Sequence, residues 1–163
     1  MTQENNADER RAFMKGTIAG LASGAAVLAG GSASAATAVK KTGLDPDGAP
    51  AADSGYTPGI KAEGGQTVVF VSGQGPKDYD ADMETQMRQT FDRIGEVLAE
   101  AGATFDDVVI LRSYFVNISR DLPFYRKVRK DYLKPPYPAS TAVGTPELAI
   151  PGLQIEIEAV AVL

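Results

Sequence analysis

The 163-residue chain contains no cysteine, no histidine and no tryptophan. Lacking Cys, it has neither a thiol nucleophile nor disulfides; lacking His, it has no imidazole general base and none of the usual zinc-ligand sets. Positive charge is not in excess either. Sixteen Lys and Arg against 21 Asp and Glu give a formal net charge of −5, so there is no broad basic footprint for a nucleic-acid backbone. Chemistry therefore falls to carboxylates, Tyr, Ser and Thr, Lys and Arg, backbone amides and ordered water. With 44% hydrophobic residues, the length supports one compact domain plus a tail.

The tail comes first. Arg10-Arg11 is followed by Ala12-Phe13-Met14-Lys15, then by a weakly apolar Gly/Ala-rich run from Gly16 to Gly31, then by the small residues Ala33-Ser34-Ala35. Residues 1–35 resemble a twin-arginine (Tat) export signal with processing after Ala35. This implies the Tat translocase as a partner during export and a periplasmic or secreted location. The apolar run is too short and too Gly-rich to span a bilayer, so no stable membrane insertion is expected. A mobile tail on a cytosolic protein and an uncleaved anchor are the alternatives. Residues 36–54, rich in Ala, Gly, Pro and Asp, read as a flexible tether that buries too little apolar surface to offset its ordering entropy. Residues 55–163 are the domain.

Within the domain, Val68-Val69-Phe70-Val71 runs into Ser72-Gly73-Gln74-Gly75-Pro76 and reads as a strand buried on both faces. At Ser72 and Gly73 there is little side-chain bulk, so a backbone N–H there can face a ligand closely or simply form an ordinary turn. Asp82 is placed to cap a helix in which Met83, Met87, Phe91, Ile94, Leu98 and Ala101 form one apolar stripe, with Gln86 among the residues facing away. Gly102 ends it in a left-handed cap. Val108 to Val116 reads as a second strand, interrupted by Arg112, a charge needing a salt-bridge partner, an exposed edge or a ligand. A second helix, Leu122 to Leu133, is assigned Asp121 as its cap, with Arg126, Lys127, Arg129 and Lys130 as a solvated charge run. Ala139 to Gly144 reads as a short strand. In the last strand Leu153, Ile155, Ile157, Ala159 and Ala161 share one face, Gln154, Glu156 and Glu158 the other, which either meets solvent or lines a site.

Four pieces in this order resemble the Rid family, also called the YjgF or UK114 family, of reactive-intermediate deaminases. They are Phe70-Val71-Ser72-Gly73-Gln74, Ala101 to Val109, Pro138-Ala139-Ser140-Thr141 and Ile155-Glu156-Ile157-Glu158-Ala159. The match runs from about Tyr56 to Val162. The resemblance implies an α+β, chorismate-mutase-like fold, a mixed β-sheet with two helices packed on one face, assembled as a homotrimer with small-molecule clefts between subunits. It implies hydrolysis of enamines and imines with no metal and no organic cofactor. Carried over position by position, Glu156 falls at the water-orienting carboxylate and Tyr56 at the family's N-terminal tyrosine. Ser72 and Gly73 match the substrate-facing turn, and Thr141 the small polar position after the second helix.

Ala139 departs from the pattern. Deaminase members carry an arginine there, whose guanidinium clamps the substrate carboxylate through two parallel hydrogen bonds. An alanine cannot, which places the chain in an arginine-lacking branch and leaves Arg112 as the candidate to supply the charge. Two readings follow: a cofactor-independent hydrolase of small enamines or imines, and a non-catalytic trimeric small-molecule-binding protein. The nuclease activity attached to the family name is disfavoured by the net charge and the absence of His.

Overall fold

The computed structural model describes residues 38–47 and 54–163. The proposed export signal, residues 1–35, lies outside them. The elements run β1 (Lys40–Leu44), β2 (Gly59–Glu63), β3 (Val68–Gln74), α1 (Met83–Glu100), a 3-10 turn (Phe105–Asp107), β4 (Val108–Phe115), α2 (Ile118–Tyr132), β5 (Ala139–Gly144) and β6 (Ile155–Val162). The main sheet has the order β3-β6-β4-β5, mixed because β4 and β5 are parallel, and β1 and β2 form an antiparallel ribbon. This is the expected α+β arrangement, a mixed sheet with helices on one face.

Each element follows from local chemistry. Asp82 caps α1 by accepting from the Thr85 amide, and the stripe Met87, Phe91, Ile94 and Leu98 is wholly buried. Gly102 takes φ +72°, which a Cβ would resist. Gln86 turns inward, against expectation: its Nε2 donates to Tyr79 and Ala81 carbonyls at 2.9 and 2.7 Å and so ties the acidic loop to the helix. Where α1 crosses α2, Phe91 meets Tyr132, Phe105 and Tyr125 with ring centroids 4.9, 5.9 and 6.2 Å apart. The Ser113 hydroxyl donates to Tyr125 Oη at 2.9 Å, satisfying both polar atoms inside the core.

Four readings need correction. Residues 36–54 are not simply a tether, since Lys40–Leu44 pairs with Gly59–Glu63 and the Lys41 ammonium donates to the Val108 carbonyl at 3.1 Å. Burial lowers the pKa of that lysine. The strand at Val68 is a sheet edge with one covered face: Val71 is buried, whereas Phe70 is 77% and Val68 52% exposed. Helix α2 starts four residues earlier than expected for Asp121 as cap: Asn117 accepts from the Arg120 amide, and Asp121 lies buried within the helix, paired with Arg120. Finally, Arg129 does not belong to a solvated face. It is buried.

The aromatic crossing gives a direct test. Phe91→Ala leaves a cavity among three rings and is expected to lower the unfolding free energy by about 3–5 kcal/mol, read from urea unfolding monitored by circular dichroism.

Candidate functional site

The sheet face turned away from the helices carries most of the candidate residues. On β6 the buried side chains are Ile155, Ile157, Ala159 and Ala161, so Glu156 and Glu158 lie on the open face, as their spacing predicts. On β4, Leu111, Ser113 and Phe115 are buried, leaving Arg112 and Tyr114 beside the glutamates. Cross-strand pairing sets Arg112 opposite Glu158 and Tyr114 opposite Glu156, while Thr141 on β5 lies next to Arg112.

The two glutamates have different neighbours. Glu158 accepts from Arg112 Nη1 at 2.7 Å and from Tyr114 Oη at 3.4 Å. Arg112 is therefore a salt-bridged residue, held one cross-strand pair away from Glu156. Glu156 leans the other way, over β3, and has no side-chain hydrogen-bond partner among the described residues. A Cβ placed on Gly73 would lie 2.1 Å from Glu156 Oε1 and 2.6 Å from its Cδ, so the carboxylate occupies the space that any side chain at position 73 would need. Glycine is required here by close approach, since its φ is not in the left-handed region.

The backbone beneath that carboxylate is irregular. Pairing of β3 with β6 passes from Val71↔Ala159 to Gln74↔Ile157, three steps on one strand against two on the other. The bulge holds Ser72 and Gly73, takes one residue out of the ladder and re-aims its peptide groups. Ser72, Gly73 and Glu156 thus form one cluster, a carboxylate packed against a strand segment displaced from the regular ladder.

Tyr56 is elsewhere. Its neighbour Thr57 bridges to Ala139 and donates through its hydroxyl to the Tyr137 carbonyl at 2.8 Å, which fixes Tyr56 beyond β5. Gly73 is on β3, at the opposite edge. Glu156 on β6 is two inter-strand steps from β5 and three from the Thr57 segment beyond it, roughly 14 Å, so Tyr56 and Glu156 do not meet within one protomer. Ala139 pairs with Ile110 on the open face. No cluster of three or more His, Cys, Asp or Glu side chains that could hold a metal is found among those residues. The sequence reading missed Arg129, which lines a cavity with Tyr56 and Ser140 on the helix side of β5.

Comparison with known proteins agrees with this architecture. The family model described as endoribonuclease L-PSP matches residues 47–163. The RutC family protein YjgH of Escherichia coli K12 is 35% identical over 99 residues, covering 58% of this chain and 74% of that protein. Among solved structures, the Rid-family protein YyfB from Yersinia pestis superposes with a TM-score of 0.66 at 28% identity, covering 76% of this chain and 98% of that one. A YjgF-family member from Mycobacterium tuberculosis gives a TM-score of 0.56, also at 28% identity, over 76% and 100% of the two chains.

The contact between Gly73 and Glu156 predicts a specific coupling. Gly73→Ala is expected to cost about 1–2 kcal/mol because the carboxylate must leave its rotamer. In a Glu156→Ala background the cost should fall by at least half, measured as a double-mutant cycle in urea unfolding.

Proposed function

As a member of the Rid, or endoribonuclease L-PSP, family, the chain carries a Glu156 carboxylate lodged over a bulged glycine turn, and we propose that it hydrolyses small enamines or imines there with a positioned water. That contact is the observation on which the reading rests. Glu156 orients the water and takes its proton as the oxygen attacks the iminium carbon, giving a carbinolamine. The same carboxyl then returns the proton to nitrogen. The C–N bond breaks as the carboxylate takes the hydroxyl proton, ammonia leaves, and the carbon is left as a carbonyl. Peptide N–H groups at Ser72 and Gly73 stabilise the polar transition state, and Thr141 supplies a hydroxyl across the face.

Tyr56 joins this site only across a subunit boundary. Phe70 and Val68 stand exposed on an edge strand, a feature that isolated proteins rarely tolerate. In the proposed homotrimer these residues are covered by neighbouring copies, and the partner subunit's Tyr56 completes the cleft over Glu156. Location follows the sequence reading: export through the Tat translocase to the periplasm or beyond. A net charge of −5 and the lack of His disfavour nuclease activity.

One observation favours a second reading, a binding protein without turnover. The guanidinium on this face, Arg112, is held by Glu158, and Ala139 provides none, so an anionic substrate finds no free clamp. Neutral or cationic imines suit the face better than amino-acid-derived ones.

Two experiments decide. In a coupled assay, an amine oxidase generates neutral imines and semicarbazide reports their lifetime. The purified protein should shorten that lifetime, and Glu156→Ala should reduce the effect about 100-fold or more. Ala139→Arg should raise activity on amino-acid imines; activity confined to that variant would leave binding as the natural role. Separately, Phe70→Glu should convert a trimer to monomer in sedimentation velocity, whereas a monomeric wild type would remove the shared-cleft arrangement.

A further inference from the structure

The polar side of α1 is not a free surface. Gln86, Gln89 and Arg93 follow one another at steps of three and four residues, so they share one face of the helix. All three side chains bond to the backbone of residues 75–81, the segment that joins β3 to α1. Gln86 holds the Tyr79 and Ala81 carbonyls through Nε2, and Gln89 Oε1 accepts from the amides of Lys77 and Asp78, both at 2.9 Å. Arg93 reaches furthest back along the chain, where its Nη1 donates to the Gly75 carbonyl at 3.1 Å. That half-buried guanidinium forms no ion pair among the described residues and directs its charge at a neutral carbonyl.

Gly75 lies two residues after Gly73. On the other side of Gly73, the Ser72 carbonyl accepts from Gln74 Nε2 at 3.2 Å, so the bulge has a side-chain donor at each end. Pro76 comes next; it is buried and has no N–H with which to resume the ladder. Gly75 is also packed against the approach to β6. A Cβ there would lie 2.5 Å from Leu153 Cδ1 and 3.3 Å from the Ile155 carbonyl oxygen. Ile155 immediately precedes Glu156. The peptide that Arg93 holds thus adjoins both halves of the Gly73–Glu156 contact.

We propose that Arg93 is a positioning residue for the Glu156 site: by holding the Gly75 carbonyl, it fixes where the Ser72–Gly73 bulge lies against the carboxylate. Its consequence for turnover rests on the hydrolytic reading given above; the placement of the bulge does not. Arg93 acts through Gly75 and not through the reacting atoms. Its loss should therefore misalign the chemical step and leave substrate affinity nearly unchanged.

The test uses the full chain and two variants. Arg93→Met keeps the aliphatic stem and helix propensity and loses the donors; Arg93→Lys keeps a charged donor. In the coupled imine assay, run over a range of imine concentrations, Arg93→Met should lower kcat about tenfold or more with KM within about twofold, and Arg93→Lys should recover most of the loss. Lys61→Met, a matched loss of charge in the exposed pair with Glu63, should change neither. Circular dichroism melts check that each variant folds. A second measurement needs no activity: the drop in urea midpoint caused by Gly73→Ala should shrink by about half or more in an Arg93→Met background, whereas unconnected sites give additive drops. Additive drops overturn the proposal. So does an Arg93→Met protein that keeps the kcat of Lys61→Met, or one that changes KM alone, while Glu156→Ala is inactive; hydrolysis at Glu156 then stands without Arg93. A wild type that hydrolyses no imine removes the hydrolytic reading alone. The urea cycle then decides the placement of the bulge, a shrunken Gly73→Ala effect supporting it and an additive one overturning it.

Discussion

The register of strand β6 is the constraint on which the other features depend. It lies between β3 and β4 in the sheet, and its alternate residues Ile155, Ile157, Ala159 and Ala161 enter the core. Side chains on a strand repeat every two residues, so a slip of one position would exchange the faces. Two unpaired carboxylates would then enter the apolar interior, and two isoleucines would leave it. The first change alone costs more than marginal stability can absorb. The position of Glu156 and Glu158 on the open face is thus a consequence of core formation, before any question of chemistry arises.

Neighbouring strands then give those equivalent positions different roles. Toward β4, Glu158 finds Arg112 and Tyr114 and is neutralised; this pair is partly exposed, and its contribution to stability is about 0–1 kcal/mol. Toward β3, Glu156 finds glycine and a bulge. An ion pair holds a carboxylate quiet, whereas a carboxylate beside a displaced strand segment keeps its lone pairs for water. The sheet achieves this separation with a single skipped residue at Ser72–Gly73, because a regular β3 would carry a side chain into the space Glu156 occupies.

Much of this was legible because it is periodic. The α1 stripe repeats at helical spacing, β6 alternates strictly, and both patterns are local, so both are read from the chain directly. The misreadings arise where non-local contacts decide. A run of four apolar residues looks alike whether one face or both are covered, and Phe70 sits at an edge only because β6 pairs on one side. Lys40–Leu44 has polar strand character that becomes structure through pairing with Gly59–Glu63. Arg129 did carry a signal: it lies four residues after Tyr125 and three before Tyr132, on the buried stripe, as does Asp121 four residues before Tyr125. Charge overrode position in that reading, whereas in the fold angular position prevails and the charge is accommodated.

Strand β5 separates two differently charged surroundings. Ala139 and Thr141 face the glutamates beside Ile110 and Arg112; Ser140 and Ala142 face the helices beside Leu111 and Ser113. Each face has a guanidinium near it, in opposite electrostatic states. An anion arriving on the glutamate face must displace Glu158 from Arg112 and also approach Glu156, so it meets competition and repulsion together. An anion arriving on the helix face meets Arg129, already desolvated by folding and still lacking two acceptors. The two guanidinium groups on either side of β5 thus differ in state: Arg112 is partly exposed and paired with Glu158, whereas Arg129 is buried with Nε and Nη2 lacking partners among the described residues.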